Sequence, residues 1–336
     1  MHAGMGDMRD KADRLQKLTE AIGKDWGFTA EEAADADRAA FLSKSDLATG
    51  MVTEFTELQG EMGKEYALLD GEKPEVAQAI FEQYMPRFAG DILPEQEIGR
   101  ALSLADKLDN LAATFLRGLI PTGSQDPFAL RRQTIGAVNI LTDGKIHWDI
   151  RRGIEAALAL LPGDEETKKT VLSQIEDFFR QRIKAIMLDE GIAYDIIDAV
   201  LAGPVDDIYA LFLKARSMAE SQLKDEAELR QAVTRLANIT KGKTGGKVDP
   251  SLFTEDVEKK LQDAFEAVSA KALPLFASYE YGKALPALKE LTAPINDYLD
   301  NVMVMVDDEA VKNNRISQLL ATLALFNTWG DFSKLV

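Results

Sequence analysis

Between Leu229 and Val248 the chain carries Arg230, Arg235, Lys241, Lys243 and Lys247 and no acidic residue. Cations gathered without carboxylate neighbours can displace the counterions condensed on a phosphate backbone, the chemistry that dominates affinity for nucleic acids. Asn238 lies among them with an amide that can donate and accept at a base edge. Steps of five, three and three run from Arg230 through Arg235 and Asn238 to Lys241, which places the four along one flank of a helix; Lys243 and Lys247 extend it. A second island runs from Pro127 to Arg152, where Arg131, Arg132, Lys145, Arg151 and Arg152 face only Asp143 and Asp149. Just before it, Thr122, Ser124 and backbone N–H groups of Pro121-Thr-Gly-Ser-Gln-Asp-Pro127 can bond a phosphate that Arg131 or Arg132 clamps with two parallel hydrogen bonds. Each island also has a structural reading. The first can be a solvated helix face with Asn238 closing the helix end; the second can be a hinge in which Phe128 and Leu130 enter the core and Asp126 caps the next helix.

The whole chain has the opposite sign, with a formal net charge of −17 over 336 residues. An acidic body repels RNA docked in the wrong place and leaves the islands as the surfaces that can receive it. There is no cysteine, which excludes disulfides, thiol nucleophiles and Cys-ligated zinc. Histidine occurs twice, as His2 and His147, too few for an imidazole-rich metal site. The opening Met1-His-Ala-Gly-Met-Gly-Asp-Met-Arg-Asp10 places charges where a secretory signal needs an apolar stretch, and no apolar run approaches the roughly 18 residues that span a bilayer. The expectation is a soluble, cytoplasmic protein without a membrane partner.

These residues must be held by helices. Val171, Leu172, Ile175, Phe178, Phe179, Ile183 and Ile186 recur at three- and four-residue steps, as do Leu319, Leu320, Leu323 and Phe326, so each set forms one helical face. Thr254 is placed to cap a helix whose first turn holds Glu255 and Asp256. Alternation that would make a strand is nearly missing; Val302 to Val306 is the best candidate and reads equally well as helix. The fold class is all-α. The breaker cluster from Leu119 to Pro127 and a weaker one at Thr142-Asp-Gly-Lys145 set the domain joint near residue 135, giving domains 1–135 and 136–336. Lys241-Gly-Lys-Thr-Gly-Gly-Lys247 reads as a flexible loop. It lacks the spacing and the preceding strand of a phosphate-cradling P-loop.

Several strings, in order and spacing, resemble the bacterial glycyl-tRNA synthetase β-subunit family. They are Leu42-Ser-Lys-Ser-Asp-Leu47 running through Met51-Val-Thr-Glu-Phe-Thr-Glu-Leu-Gln-Gly60 to Met62-Gly63, then Tyr84-Met-Pro-Arg-Phe-Ala-Gly-Asp91 and Ala105-Asp-Lys-Leu-Asp-Asn-Leu111. Pro121-Thr-Gly-Ser-Gln-Asp-Pro-Phe-Ala-Leu-Arg-Arg132 follows, and Asn301-Val-Met-Val-Met-Val306, Asn313-Asn-Arg315 and Asp331-Phe-Ser-Lys-Leu335 close the series. The resemblance is to the C-terminal half of that subunit and makes Met1-His2 a non-native start. It implies tRNA-Gly and a separate α subunit as partners, with no role for DNA. Glycylation, with its ATP and Mg, would belong to the α subunit's catalytic core, leaving no catalytic residue and no cofactor here.

Within that resemblance, the first block is similar to the HD phosphohydrolase superfamily, whose histidines and aspartates converge on a water-activating metal. Asp46 falls at the doublet aspartate and Asp106 at the later one, but Ser45 stands where the doublet histidine would be. The domain is therefore expected to be degenerate and to hold no metal. Asp46 and Asp106 would then pair with Lys44, Lys107 or an arginine, cap backbone N–H groups, or orient a loop that touches tRNA. The second block resembles the DALR anticodon-binding domain, a helical bundle also found in arginyl-tRNA synthetases, through Thr234-Arg-Leu-Ala-Asn-Ile-Thr-Lys241. The family usually has a basic residue at position 234, where this chain has threonine. Anticodon loops are single-stranded, so phosphate clamps, base-edge hydrogen bonds and stacking are expected, the last from Trp148. Asn313, Asn314 and Arg315 are a further candidate contact, or the polar start of the last helix.

Overall fold

A computed structural model of the chain describes residues 4–123 and 125–336; His2 and Ser124, named above, lie outside them. Among the described residues the backbone forms α-helices and single turns of 3-10 helix, with no β-strand. The chain divides into two compact units. One runs up to Ala185 together with Val205–Tyr209, and the other comprises Ile186–Pro204 and Ala210–Val336.

The first unit contains α1 (Met8–Trp26), α2 (Ala30–Leu42), α3 (Gly50–Glu54), α4 (Glu61–Leu69), α5 (Pro74–Glu82), α6 (Glu97–Leu116), α7 (Leu130–Asp143), α8 (Ile150–Ala159) and most of α9 (Glu165–Asp189). Its axis is α6, which packs against α1, α2, α5, α7 and α8. Leu102, Leu104, Ala105, Leu108, Leu111 and Phe115 are each at most 2% exposed. Every such leucine or phenylalanine stabilises the unit by roughly 1.5–3 kcal/mol through the apolar surface it removes from water. A helix covered on all sides also buries its polar residues, here Ser103, Asp106, Lys107 and Asp109, and these must find partners inside the protein. Glu82 at the end of α5 accepts from the Glu95 and Gln96 N–H groups and so fixes the two residues that lead into α6. Gly99 leaves room for that carboxylate: a Cβ there would fall 1.8 Å from Glu82 Oε2.

The division does not fall near residue 135, which lies inside α7. The prolines and glycine between Leu119 and Pro127 only turn the chain back, so that α7 returns to pack on α6. The apolar face anticipated on α9 is present, with Val171, Leu172, Ile175, Phe178, Phe179 and Ile183 buried.

The second unit contains α10 (Tyr194–Val200), most of α11 (Ile208–Glu220), α12 (Ala227–Thr240), α13 (Asp256–Ala277), α14 (Leu285–Lys289), α15 (Thr292–Asn301) and α16 (Glu309–Asn327). Contacts of α12 and α13 with α15 and α16 build its core. Leu319 and Phe326 are fully buried there, while Leu320 and Leu323 are only partly covered. Val302 to Val306 is irregular chain after α15. Thr254 does not cap α13. The cap is Glu255, in a reciprocal box with Glu258, and the Thr254 hydroxyl accepts from Arg315 at 2.7 Å. No helix among the described residues is long and apolar enough to cross a membrane.

Candidate nucleic-acid interface

The basic segment of the second unit divides into two kinds of residue. Arg230 and Arg235 project from α12 and line one recess of about 430 Å³ with Gln231 and Thr234. Both are engaged within the unit. Arg230 donates to the Leu335 carbonyl at 3.3 Å and to the Lys224 carbonyl at 3.1 Å, which fastens the C-terminal segment. Arg235 reaches α15, donating to Asn296 Oδ1 at 2.9 Å and pairing with Asp300 at 2.5 Å. Asp300 therefore neutralises Arg235, a partner that the acid-free run around it does not reveal.

Beyond the last turn of α12 the situation changes. Asn238 is exposed and its side chain makes no hydrogen bond among the described residues. Lys241, Lys243 and Lys247 are exposed as well, and none is within 4 Å of a carboxylate among those residues. The loop that carries them is tied down. Gly246 N–H donates to Ser317 Oγ at 2.8 Å, and Asp249 exchanges two hydrogen bonds with the Asn314 amide, at 2.7 and 3.0 Å. Gly245 lies so close to α16 that a Cβ would come within 2.9 Å of Leu320 and 3.3 Å of the Ser317 Cα.

Asn314 and Arg315 are therefore structural residues in the second turn of α16, 5% and 4% exposed. The Arg315 guanidinium holds Glu258 at 3.0 Å and also donates to the Met303 carbonyl at 2.8 Å. Burial would raise Glu258, but Arg315 and the N–H groups of Thr254 and Glu255 hold its carboxyl below the usual range.

In the first unit, Asp126 accepts from the Leu130 and Arg131 N–H groups at 2.8 and 3.0 Å and caps α7, although it stands three residues before the cap position. Leu130 is fully buried, whereas Phe128 is 39% exposed and not a core residue. Arg131 donates to the Gly123 carbonyl at 2.6 Å. Its charge is felt by Arg182 of α9, whose pKa is lowered first by burial and then by that neighbour. Arg132 is exposed with no ion pair among the described residues. Both arginines line a recess of about 350 Å³ with Asp126 and Asn139. Of the rest of the second island, Lys145 is exposed without an ion pair among the described residues, and the two other arginines are neutralised. Arg151 pairs with Glu155 and Glu176, and Arg152 pairs with Asp25. Trp148 is 6% exposed, donates to Asp25 and packs edge-on to Trp26 at 6.1 Å, so it is not available to stack on a base. His147 is bonded to Asp207 at 2.7 Å.

Asp46 and Asp106 are both buried, and neither is arranged for a divalent cation. Asp46 accepts from the Gly60 N–H at 2.7 Å and from the Tyr84 hydroxyl at 3.3 Å. Asp106 lies 2.9 Å from the Lys11 ammonium and 3.1 Å from that of Lys44. Burial pushes Asp106 up, but these two ammonium groups hold it well below the ordinary carboxylate range. A carboxylate flanked by two ammonium groups is already neutralised and repels a metal, and no group of three His, Cys, Asp or Glu side chains suited to a metal occurs among the described residues. Lys11 is the part that sequence reasoning missed. Lys44 was a candidate partner, but nothing in the spacing of Lys11 marks it as a buried cation.

The described residues thus form helical units with exposed cations at Lys241, Lys243, Lys247 and Arg132, and with Asp46 and Asp106 engaged inside the fold. A family model described as glycyl-tRNA synthetase β subunit matches residues 1–202, and one described as the DALR anticodon-binding domain matches residues 229–330. The chain belongs to the glycyl-tRNA synthetase β-subunit family. It is similar to the glycine–tRNA ligase β subunit of Clostridioides difficile, 44% identical over 333 residues, which are 99% of this chain and 48% of that protein. The corresponding subunits of Desulforamulus reducens and Haemophilus influenzae are each 41% identical, over 99% and 98% of this chain and 48% of theirs. The chain thus spans about half the length of the curated relatives it matches.

Proposed function

We propose that this chain is the tRNA-holding part of a glycine–tRNA ligase β subunit, a cytoplasmic protein that positions tRNA-Gly for ATP- and Mg-dependent glycylation on a separate α subunit. In this reading the second unit takes the anticodon end, and the first, a degenerate HD-like domain, contributes Arg131 and Arg132. The mechanism is positional: binding energy gained far from the reacting atoms orients the acceptor end. The observation that carries the reading is the loop of Lys241, Lys243 and Lys247. Three ammonium groups with no carboxylate within 4 Å among the described residues stand on a backbone fixed to α16, next to the exposed Asn238 amide; only Lys247 has an acid, Asp249, close enough to feel its charge. Arg230 and Arg235 support that surface by anchoring α12 and shape the adjoining recess.

Charge reversal of Lys241 and Lys243 together is expected to weaken tRNA-Gly binding and flatten its salt dependence. Each lost contact to a single-stranded phosphate removes roughly 0.7 from the slope of log K against log salt, so two remove about 1.4. Filter binding of tRNA-Gly across a salt series reads both quantities. Unchanged affinity and slope would place the RNA elsewhere.

A further inference from the structure

The first unit contains a cavity of about 470 Å³ at the meeting of α1, the α2–α3 connection, the segment after α5, α6 and the start of α7. Lys11, Lys44, Arg87, Lys107 and Arg132 line it, against two acids, Asp106 and Glu57. The three lysines are 5%, 8% and 3% exposed. Lysine is almost never withdrawn from water to that degree unless its charge is met. Lys11 is fully met, by Asp106, Asp109 and Asn110 at 2.9, 2.9 and 2.8 Å. Asp109 is in turn taken up by Arg14 at 2.6 Å.

Lys44 and Lys107 are not met in this way. Lys44 shares the one carboxylate oxygen of Asp106 with Lys11, lies over the face of the Tyr84 ring at 4.5 Å, and feels the Asp46 carboxylate without an ion pair to it; burial outweighs these and lowers its pKa. Lys107 donates only to neutral oxygens, the Met85 carbonyl at 2.7 Å and Ser103 Oγ at 2.6 Å. Burial pulls Lys107 down to about 7, incompletely offset by Asp106 and reinforced by Lys44. Gln83, fully buried in the same wall, gives its amide N–H groups to the Ser43 and Ile80 carbonyls and leaves Oε1 without a hydrogen-bond partner. At the rim, Arg132 is exposed and unpaired among the described residues.

We propose that this cavity binds a phosphate monoester, through Lys44 and Lys107 at its floor and Arg132 at its mouth. A monoester brings up to two negative charges and three terminal oxygens, enough to engage all three cations. A backbone diester brings one charge and two free oxygens, with a sugar on either side, and cannot be pressed down to side chains this deeply buried. The volume is that of a small-molecule site. Gln83 Oε1 then accepts from a hydroxyl or amino group of the attached moiety. Two sources carry this chemistry, a free nucleotide and the phosphorylated end of an RNA strand. The site lies wholly in the first unit and does not depend on the lysine loop of the second.

Isothermal titration calorimetry on the full chain tests it with inorganic phosphate, AMP, and a trinucleotide RNA with and without a 5′-phosphate. Phosphate and AMP are expected to bind with dissociation constants below roughly 1 mM. AMP binding at least tenfold tighter than the phosphorylated trinucleotide assigns the site to a nucleotide, and the reverse order assigns it to an RNA end. Lys44→Met should abolish binding. Arg132→Ala, which removes an exposed side chain and leaves the fold intact, should weaken it about tenfold, the equivalent of one lost charge-assisted hydrogen bond. Reversal of Lys241 and Lys243 should leave it unchanged, which separates this site from the tRNA surface. Absence of binding by all three phosphate-bearing probes, or undiminished binding by Arg132→Ala, overturns the proposal.

Discussion

Asp106 and Asp109 stay ionised inside the first unit because Lys11 and Arg14 reach them from α1. Both carboxyls are held below their ordinary range against the opposing effect of burial. Their stabilising contribution is therefore complete above the unfolded carboxylate value near pH 4 and is lost as pH falls through the lower folded values. Lys11→Met removes the cation that both share. It should cost on the order of 3 kcal/mol, since it strands buried charge, and should move the acid-unfolding midpoint to higher pH. Circular dichroism followed from pH 6 to pH 2 reads that midpoint, and an unmoved midpoint would show that Arg14 and Lys44 suffice. Motif spacing located Asp46 and Asp106. Lys44 was expected as a partner and does pair with Asp106; Lys11 was not, because it is 98 residues from Asp109 and a lysine on a helix carries no mark of burial.

Among elements, the loop from Lys241 to Asp249 differs most from its reading as flexible chain. Glycines and lysines suggest freedom, but Ser317 and Asn314 of α16 hold the loop at two points. Asn314→Ala removes both bonds to Asp249. It should cost roughly 1–3 kcal/mol, speed amide exchange at Asp249 and weaken tRNA-Gly binding severalfold. Exchange measured by mass spectrometry checks the first effect; protection equal to the parent protein would mean that packing of Gly245 on α16 is enough. Helices with three-four spacing, such as α9, were legible because periodicity is local. The cap of α13 was misplaced by one residue because the Thr254 hydroxyl serves Arg315, 61 positions away. The cluster from Pro121 to Pro127 was read as a joint for the same reason: punctuation shows where helices end, not which helices share a core.

Across the whole molecule, two compact units each own a buried ionic tie, Lys11 with Asp106 and Asp109 in one and Arg315 with Glu258 in the other. Units with separate cores unfold as separate steps. Differential scanning calorimetry should accordingly resolve two transitions, with Glu258→Gln lowering one by several degrees and Lys11→Met lowering the other. A single transition shifted by both substitutions would mean that the units melt together.

The burial of α6 on every side has a consequence for the order in which a growing chain can assemble. Lys11 and Arg14 leave the ribosome nearly a hundred residues ahead of Asp109. Until α6 follows, α1 and α2 can pair with each other but present a cationic, half-apolar face to the surrounding water. The α1–α2 hairpin must wait for its central helix, and during synthesis that face stays open until α6 has emerged.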